Sequence, residues 1–350
     1  MLGTATVDGA DAHVSLPPDG FAPLLVKEVI SETADAVSLV FDVPGDWDER
    51  FTYQAGQFVT VRIVLDGTAH LRCYSMSSSP LTDDDLRITV KRDREGVVSN
   101  WLNDHVSVGD KIHTAPPAGR FVSRDGDRDL VAFAGGSGVT PIFSLIRSAL
   151  AGSGRHVTLF YANRGPASVI FGSALAALAE QHPGRLVVHH HLDQDSGVVT
   201  PAAIQPFVGI ADADYFVCGP APFMDTVEKT VVGTGVAGER LHLERFSVVE
   251  TTAPAPADVI TTEVTIKLDR HTVTVPYRAG NTVLQTARMA GLRAPSSCET
   301  GSCGTCIAQV TDGSARMLNN DALEDDEVAD GLILTCQSLP TSTTITVIYE

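Results

Sequence analysis

The alternation of apolar and polar residues divides the chain into three blocks, and the first has a β pattern. Between residues 21 and 123, short apolar runs of strand length are separated by turn residues. Five such runs are present: Leu24–Ile30, Ala36–Val43, Phe58–Val64, Leu86–Lys91 and Lys111–Thr114. Short strands joined by turns are typical of an antiparallel barrel, so we predict a β-barrel over residues 21–125.

In the second block, strand-like runs alternate with segments of helical spacing. The predicted strands are Leu130–Ala134, His156–Ala162, Leu186–Leu192 and Tyr215–Cys218. The predicted helices between them are Val139–Ala151, Phe171–Gln181 and Pro222–Val231. Alternation of this kind indicates βαβ units and a parallel sheet. We therefore predict an α/β domain over residues 126–247.

Two segments without periodicity border these blocks. Residues 1–20 form a polar stretch with several Ala and Gly residues, which predicts a flexible tail. Glu250–Ala257 contains two prolines and predicts a semi-extended linker, which we place at residues 248–257. A third domain is expected over residues 258–350.

Charge and hydropathy restrict the class of protein. The formal net charge of −18 disfavours nucleic acids and anionic membranes as partners. No apolar run approaches the roughly 20 residues of a membrane span, and the N-terminus lacks the pattern of a signal peptide. We therefore expect a soluble protein of the cytoplasm.

Four cysteines in the third block have the most specific spacing in the chain. They follow the pattern C-x4-C-x2-C, with a fourth cysteine after 29 intervening residues: Cys298, Cys303, Cys306 and Cys336. This is the plant-type arrangement of thiolates around a [2Fe–2S] cluster. Zinc sites favour two C-x2-C pairs, of which the chain has one, and disulfides are typical of small secreted chains. We therefore predict a [2Fe–2S] centre, with Gly301 and Gly304 at positive φ in its loop.

The barrel block contains a possible flavin site. Arg72-Cys73-Tyr74-Ser75 follows a predicted strand, and Gly96-Val97-Val98-Ser99 lies further along. FAD needs a cation and backbone donors for its pyrophosphate, an apolar partner for its ring and a hydrogen bond near N5. Arg, Tyr and Ser on one extended segment supply side chains of these types. An exposed arginine beside a half-buried tyrosine is the structural alternative for so short a string.

The α/β block has two turns suited to a dinucleotide. Gly135-Gly136-Ser137-Gly138-Val139-Thr140-Pro141 follows one predicted strand and opens a helix, and Cys218-Gly219-Pro220 does the same further on. Glycines allow close approach of a phosphate, and the helix N-terminus attracts it. Both turns lie at carboxyl ends of parallel strands, where open α/β sheets bind ligands. The first string is not G-x-G-x-x-G, so a glycine-rich turn without a ligand is the alternative.

These strings, followed by His242–Phe246, make the chain resemble the ferredoxin–NADP reductase superfamily. The fused cluster block is similar to the reductase components of multicomponent oxygenases, most of all those of 3-ketosteroid 9α-hydroxylases. Reductase subunits of phenylacetyl-CoA epoxidases share the layout. The strings that carry this resemblance are Arg72–Pro80, Ser99–Leu102, Tyr161–Arg164 and Gly331–Ser338. The resemblance spans residues 21–350 and implies an antiparallel FAD-binding β-barrel, a parallel α/β NAD(P)-binding domain and a C-terminal β-grasp [2Fe–2S] ferredoxin domain.

The resemblance also implies roles for individual residues. Arg72 would bind the FAD pyrophosphate, Tyr74 would pack on the flavin ring, and Ser75 would hydrogen-bond near N5. Further pyrophosphate donors would be the backbone groups of Gly96, Val97, Val98 and Ser99. The nicotinamide dinucleotide would follow Gly136, Ser137, Gly138, Thr140, Gly219 and Pro220.

Three further residues are implied near the reacting atoms. Cys218 would lie near the nicotinamide C4, with Glu244 beside it and Phe246 against the flavin. A small buried apolar residue is the alternative reading of Cys218, and a solvated carboxylate is the alternative for Glu244. The three residues predicted to take part in catalysis are therefore Ser75, Cys218 and Glu244.

The implied function is an electron relay from NADH through FAD and the [2Fe–2S] cluster to an oxygenase of the Rieske type. A monomer is expected. Arg164 follows the second parallel strand, where an arginine can bind the 2′-phosphate of NADPH. No further Lys or Arg follows before Arg185, and the resemblance implies NADH, so we predict NADH with NADPH as the alternative. A cluster-bearing redox sensor and a non-catalytic electron carrier are the rival functions.

Overall fold

The computed structural model describes residues 20–83, 85–123, 126, 128–210, 212–246, 261–292, 294–296, 301, 304–320 and 322–349. The predicted tail apart from Gly20, the predicted linker, Cys298 and Cys303 lie outside these residues. The limits proposed for the tail, the linker and the three domains stay predictions. Within the described residues, no helix is both long enough and apolar enough to cross a membrane.

The first block is an antiparallel sheet of six strands. They are β1 Ala22–Thr33, β2 Ala36–Asp42, β3 Phe58–Leu65, β4 Thr68–Ser75, β5 Leu86–Lys91 and β6 Lys111–Thr114, with helix α1 at Val97–His105. The spatial order is β4-β3-β6-β1-β2-β5, and every pairing is antiparallel. A bridge between Met76 and Ile88 joins the two edges, which closes the sheet as the predicted barrel.

One strand of this barrel was not predicted. Arg72–Ser75 was expected to follow a strand, but it forms the end of β4, which pairs along its whole length with β3. β4 reads Thr-Ala-His-Leu-Arg-Cys-Tyr-Ser, so it lacks the apolar alternation that marks a half-buried strand. Its strand conformation follows instead from its backbone pairing with the apolar strand β3.

The second block is the predicted parallel sheet. Its elements are β7 Asp129–Gly135, α2 Val139–Gly152, β8 Val157–Asn163, α3 Gly172–Gln181, β9 Leu186–Leu192, α4 Asp193–Ser196, α5 Pro201–Ile204, β10 Ala213–Cys218, α6 Ala221–Gly233 and β11 Leu241–Glu244. The order is β11-β10-β7-β8-β9, with all neighbours parallel. The short strand β11 was not predicted, and it places Glu244 at the carboxyl edge of the sheet.

The third block has the mixed sheet of a β-grasp domain. Its elements are β12 Glu263–Leu268, β13 His271–Pro276, α7 Val283–Met289, β14 Ile307–Asp312, β15 Ala315–Met317, α8 Asp325–Ala329, β16 Leu332–Leu334, β17 Ser338–Pro340 and β18 Thr344–Tyr349. The main sheet has the order β13-β12-β18-β14-β16, and β12 is parallel to β18. Helix α7 starts with a capping box in which Thr282 and Gln285 satisfy each other's backbone N–H groups.

A buried ion pair ties the loop before β8 to β10. Arg155 is 5% exposed, and its Nη2 lies 3.1 Å from Oδ2 of Asp214. The Arg155 guanidinium also donates to the Ser123 hydroxyl and to the backbone oxygen of Arg128. A charge at this depth needs a partner, because water does not solvate it.

We expect Asp214→Ala to lower the free energy of unfolding by about 3–5 kcal/mol, because it leaves the Arg155 charge buried without its carboxylate. Urea unfolding followed by circular dichroism measures the change. The matched control is Asp85→Ala, which removes an exposed partner of Lys27 at 2.7 Å. That control should cost roughly 0–1 kcal/mol. Equal losses in the two variants would contradict the role of burial.

Candidate functional site

The end of strand β4 meets the end of strand β11. The Ser75 hydroxyl, in a residue 3% exposed, donates to Oε2 of Glu244 at 3.2 Å. Glu244 is 7% exposed, and parallel pairing sets it beside Cys218, the last residue of β10. The three residues predicted to be catalytic therefore come together, although they lie on the barrel and on two strands of the α/β domain.

Cys218 is fully buried at this junction. Burial raises the pKa of its thiol well above the usual value, and the Glu244 carboxylate raises it further. The side chain therefore remains a neutral thiol at neutral pH. A neutral thiol is a weak nucleophile, so the site offers an apolar, polarisable surface at this position, with a single carboxylate beside it.

Arg72 and Tyr74 occupy alternate positions of β4, so they share one face of the strand. Tyr74 is packed against the barrel core, and burial raises the pKa of its hydroxyl, so the ring carries no charge. Arg72 donates from Nη1 to the backbone oxygen of Leu71 at 2.8 Å. A cation and a neutral aromatic ring on one face are the groups expected for a flavin dinucleotide.

Helix α1 begins directly after Gly96. The Ser99 hydroxyl accepts a hydrogen bond from the Asp93 N–H at 3.1 Å and donates to the Gly96 backbone oxygen at 3.3 Å. A Cβ on Gly96 would lie 2.2 Å from Ser99 Oγ, so glycine is needed there. The Ser99 hydroxyl thus makes its hydrogen bonds within the turn itself. The groups suited to an anion are the first backbone N–H groups of the helix, including those of Val97 and Val98.

The two predicted dinucleotide turns contact each other. A Cβ on Gly138 would lie 2.1 Å from the backbone oxygen of Cys218, and a Cβ on Gly219 would lie 3.0 Å from Cα of Gly135. Gly136 has φ +53°, and the Thr140 hydroxyl donates to the Ser137 backbone oxygen at 3.0 Å. The glycines of the first turn therefore allow it to pack against the second turn, which brings Cys218 next to the start of α2.

A cleft of about 410 Å³ opens between the barrel and the α/β domain. Ser137, Gly219, Pro220 and Phe246 line it, so four of the predicted cofactor residues face one space. Its other walls include cations that sequence reasoning missed: Lys91, Arg92, Arg94 and Arg245. The clustered run Lys91-Arg92-Asp93-Arg94 after a strand was the available signal. Four cations around one cleft, in a chain of net charge −18, fit the pyrophosphate of a dinucleotide.

The third domain holds two of the four predicted cluster ligands within its core. Cys306 is 2% exposed and Cys336 is 4% exposed. The Thr335 hydroxyl and its N–H both donate to the backbone oxygen of Cys306, at 2.9 and 3.1 Å. Gly301 and Gly304 have φ +89° and +72°, which confirms the predicted positive-φ positions of the loop. Two buried thiols and two glycines at positive φ fit the ligation of a [2Fe–2S] cluster.

Family models match all three blocks of the chain. Residues 22–122 match the oxidoreductase FAD-binding domain, residues 133–229 match the oxidoreductase NAD-binding domain, and residues 266–341 match the 2Fe-2S iron-sulfur cluster binding domain. The cofactors predicted from the sequence, namely FAD, NADH and [2Fe–2S], are thereby confirmed. The three fold classes predicted from the sequence are confirmed as well.

Full-length relatives share this order of domains. The ferredoxin reductase component of 3-ketosteroid-9-alpha-monooxygenase from Mycobacterium tuberculosis is 41% identical, over 95% of this chain and 97% of the relative. A component of the 1,2-phenylacetyl-CoA epoxidase from Escherichia coli is 31% identical, over 94% of this chain and 98% of the relative. Among solved structures, phthalate dioxygenase reductase matches with a TM-score of 0.63 and 26% identity, over 95% of this chain and 98% of that chain.

We expect Gly138→Ala to slow flavin reduction by NADH about 10-fold or more, because a Cβ there must push the two turns apart and displace Cys218. FAD content should stay the same, since the flavin strand lies in the barrel. Anaerobic stopped-flow absorbance at the flavin band measures the rate. The matched control is Gly154→Ala, where an added Cβ meets no atom within 4 Å. Equal rates in both variants would show that the contact between the turns is unimportant.

Proposed function

We propose a steroid-hydroxylating oxygenase as the electron acceptor of this chain, which belongs to the family of oxygenase reductase components with FAD-binding, NAD-binding and 2Fe-2S domains. The chain is an NAD(P)H-dependent oxidoreductase, and electrons pass from NADH to FAD and then to [2Fe–2S]. What supports the steroid assignment is the 39–41% identity to reductase components of 3-ketosteroid-9-alpha-monooxygenases. Reductase subunits of other oxygenases are 29–32% identical.

The hydrogen bond between Ser75 and Glu244 is the observation that carries the mechanism. It sets the predicted flavin strand against the carboxyl edge of the parallel sheet, and Ser137, Gly219 and Pro220 of the predicted nicotinamide site line the cleft at that edge. When bound, FAD takes up two electrons together as a hydride and gives them up singly, which a one-electron cluster requires. The protein's task is to hold both dinucleotides in contact and to exclude water.

We assign the individual tasks as follows. Arg72 and the N-terminus of α1 bind the FAD pyrophosphate, and Tyr74 packs on the ring. Ser75 orients the reactive edge of the ring, with its hydroxyl held by Glu244. The turns at Gly136–Thr140 and Gly219–Pro220 would hold the nicotinamide dinucleotide, and Phe246, 48% exposed, would pack against the flavin. Cys298, Cys303, Cys306 and Cys336 ligate the cluster.

We further propose that NADH is preferred over NADPH, that the oxygenase is of the Rieske type, and that the protein is a monomer in the cytoplasm. The preference for NADH is supported by the surroundings of Arg164. The turn after β8 contains no second Lys or Arg, and Arg164 already pairs with Asp35 at 3.3 Å. A 2′-phosphate usually requires more than one cationic donor. The location is supported by the need of the four thiolates for a reducing compartment.

We expect Cys303→Ser to interrupt the relay at one defined point. The variant should lose the absorbance and electron paramagnetic resonance signals of the cluster and at least about 99% of its transfer to the oxygenase, because a ligand thiolate is missing. Stopped-flow reduction of the flavin by NADH should proceed at the wild-type rate, because the hydrophobic cores of the FAD and NAD domains include no residue of the cluster domain. Oxygenase turnover that persists without the cluster would overturn the proposed route, whereas absent turnover in the wild type would identify a sensor or carrier.

A candidate docking surface for the oxygenase lies on α8. Residues 321–327 form an acidic run, in which Glu324, Asp325 and Asp326 are exposed and Asp321 lies outside the described residues. Glu327 differs from them, because its Oε2 accepts from the Glu324 N–H at 2.9 Å and from Arg120 of the barrel at 3.2 Å. The surface available to a basic partner therefore consists of Glu324, Asp325 and Asp326.

We expect electron transfer from the pre-reduced protein to its oxygenase to slow as salt rises. Added salt shortens the Debye length from about 8 Å at physiological strength to about 3 Å at 1 M, which weakens steering. Replacing Glu324, Asp325 and Asp326 with Gln, Asn and Asn should flatten this dependence. The control replaces Asp46, Asp48 and Glu49, three exposed acids on the barrel, with their amides. If both triple variants keep the wild-type salt slope, the acidic helix is not the docking surface.

A further inference from the structure

A cluster of charges bridges the barrel and the α/β domain near the cation-lined cleft. Asp35 occupies the turn between β1 and β2, and its Oδ2 lies 3.3 Å from Nη2 of Arg164 and 3.8 Å from Nζ of Lys91. Arg164 is the first residue after β8, and its backbone oxygen accepts from the Gln194 N–H at 3.1 Å. A carboxylate of the barrel thus reaches a guanidinium at the nucleotide-binding edge of the sheet.

Asp35 is the fixed member of this cluster. The Thr33 hydroxyl donates to its Oδ1 at 2.7 Å, and its backbone oxygen accepts from the Arg92 N–H at 2.7 Å. Its side chain is 31% exposed, whereas that of Arg164 is 76% exposed and has the freedom to turn. The barrel therefore fixes the position of the Asp35 carboxylate, and the more exposed Arg164 side chain extends to it.

We propose that Asp35 is a specificity-determining residue that disfavours NADPH relative to NADH. It does so by engaging Arg164 and by placing a negative charge where a 2′-phosphate would bind. An arginine after the second strand of a dinucleotide-binding sheet accommodates the 2′-phosphate, whereas an acidic residue in that region favours the ribose hydroxyl of NADH. In this chain the arginine is Arg164, at the end of a strand of the parallel sheet, whereas the acidic residue is Asp35 of the barrel. The inference rests on the proposed preference for NADH.

The distances make the repulsion effective. A phosphate oxygen hydrogen-bonded to the same guanidinium nitrogen at about 2.8 Å would lie within roughly 6 Å of Asp35 Oδ2. This is shorter than the Debye length of about 8 Å at physiological ionic strength, so salt does not fully screen the two charges. Lys91 lies 3.8 Å from the same carboxylate and offsets part of its charge. NADH carries an uncharged hydroxyl at this position and meets no such repulsion.

The test compares the two coenzymes in the wild type and in Asp35→Asn. The amide keeps the oxygen that accepts from Thr33, so the turn is preserved while the charge is removed. We expect the ratio of kcat/KM for NADPH to kcat/KM for NADH to rise about 10-fold. The dissociation constant of adenosine 2′,5′-bisphosphate, measured by calorimetry, should fall by a similar factor. Both gains should shrink at 1 M salt, where the Debye length is about 3 Å.

Two further variants assign the effect. Asp35→Asn combined with Arg164→Met should lose the part of the gain that comes from the released guanidinium, because that group is then absent. Asp85→Asn, which removes another carboxylate of the barrel from its partner Lys27, should leave the coenzyme ratio at the wild-type value. An unchanged ratio in Asp35→Asn would overturn the proposal, and so would a gain that is undiminished without Arg164 or equally large in Asp85→Asn.

The two readouts separate this inference from the function on which it rests. A wild type that prefers NADPH, or whose flavin NADH does not reduce, would refute the proposed coenzyme or function. The binding of adenosine 2′,5′-bisphosphate needs neither flavin nor cluster chemistry, so its change between wild type and Asp35→Asn still decides the role of Asp35. Visible absorbance of the flavin confirms that every variant compared is folded.

Discussion

Hydride transfer requires the two reacting rings to touch, so the carboxyl edge of the parallel sheet must lie against the flavin strand. The hydrogen bond from Ser75 to Glu244 crosses this boundary between two buried side chains. The residues directly after β4 secure the same boundary: the Ser144 hydroxyl donates to the Ser78 backbone oxygen at 2.5 Å, and Ser79 and Ser148 share a hydrogen bond of 2.8 Å. The chain thus uses one continuous segment both to present the flavin side chains and to dock α2.

Charge is distributed so that this junction differs from the rest of the surface. The chain carries a net charge of −18, yet cations from the barrel and from the end of β11 gather around the cleft. Their own acidic partners limit how strongly they attract anions: Arg245 lies 3.0 Å from Asp225, and Arg92 pairs with Asp104. Part of the positive charge around the cleft is therefore already balanced within the protein.

The local sequence pattern was sufficient to predict the long apolar strands and the two positive-φ glycines of the cysteine loop. The strands β2, β7 and β8 have continuous runs of buried residues, and the start of β1 alternates buried with accessible residues, which are the two patterns that mark strands. Gly301 and Gly304 adopt the conformations expected of them. β4 escaped prediction because its residues lack apolar alternation, and β11 because it has only four residues. The contact between Ser75 and Glu244 could not be predicted because the two residues lie 169 positions apart. For the same reason the sequence named Arg164 as a coenzyme residue but contained no sign that Asp35 faces it.

The contact of the cluster domain with the barrel is of a different kind. Arg120 and Glu327 form an ion pair of 3.2 Å, but their side chains are 47% and 32% exposed. The backbone N–H of Glu324, followed by Arg120, lowers the pKa of the Glu327 carboxyl, so the pair is charged at neutral pH and is lost only on acidification. Exposed pairs are screened by salt and contribute little to stability. The junction of the barrel with the α/β domain is thus held by buried contacts, whereas this exposed ion pair does little to hold the cluster domain against the barrel.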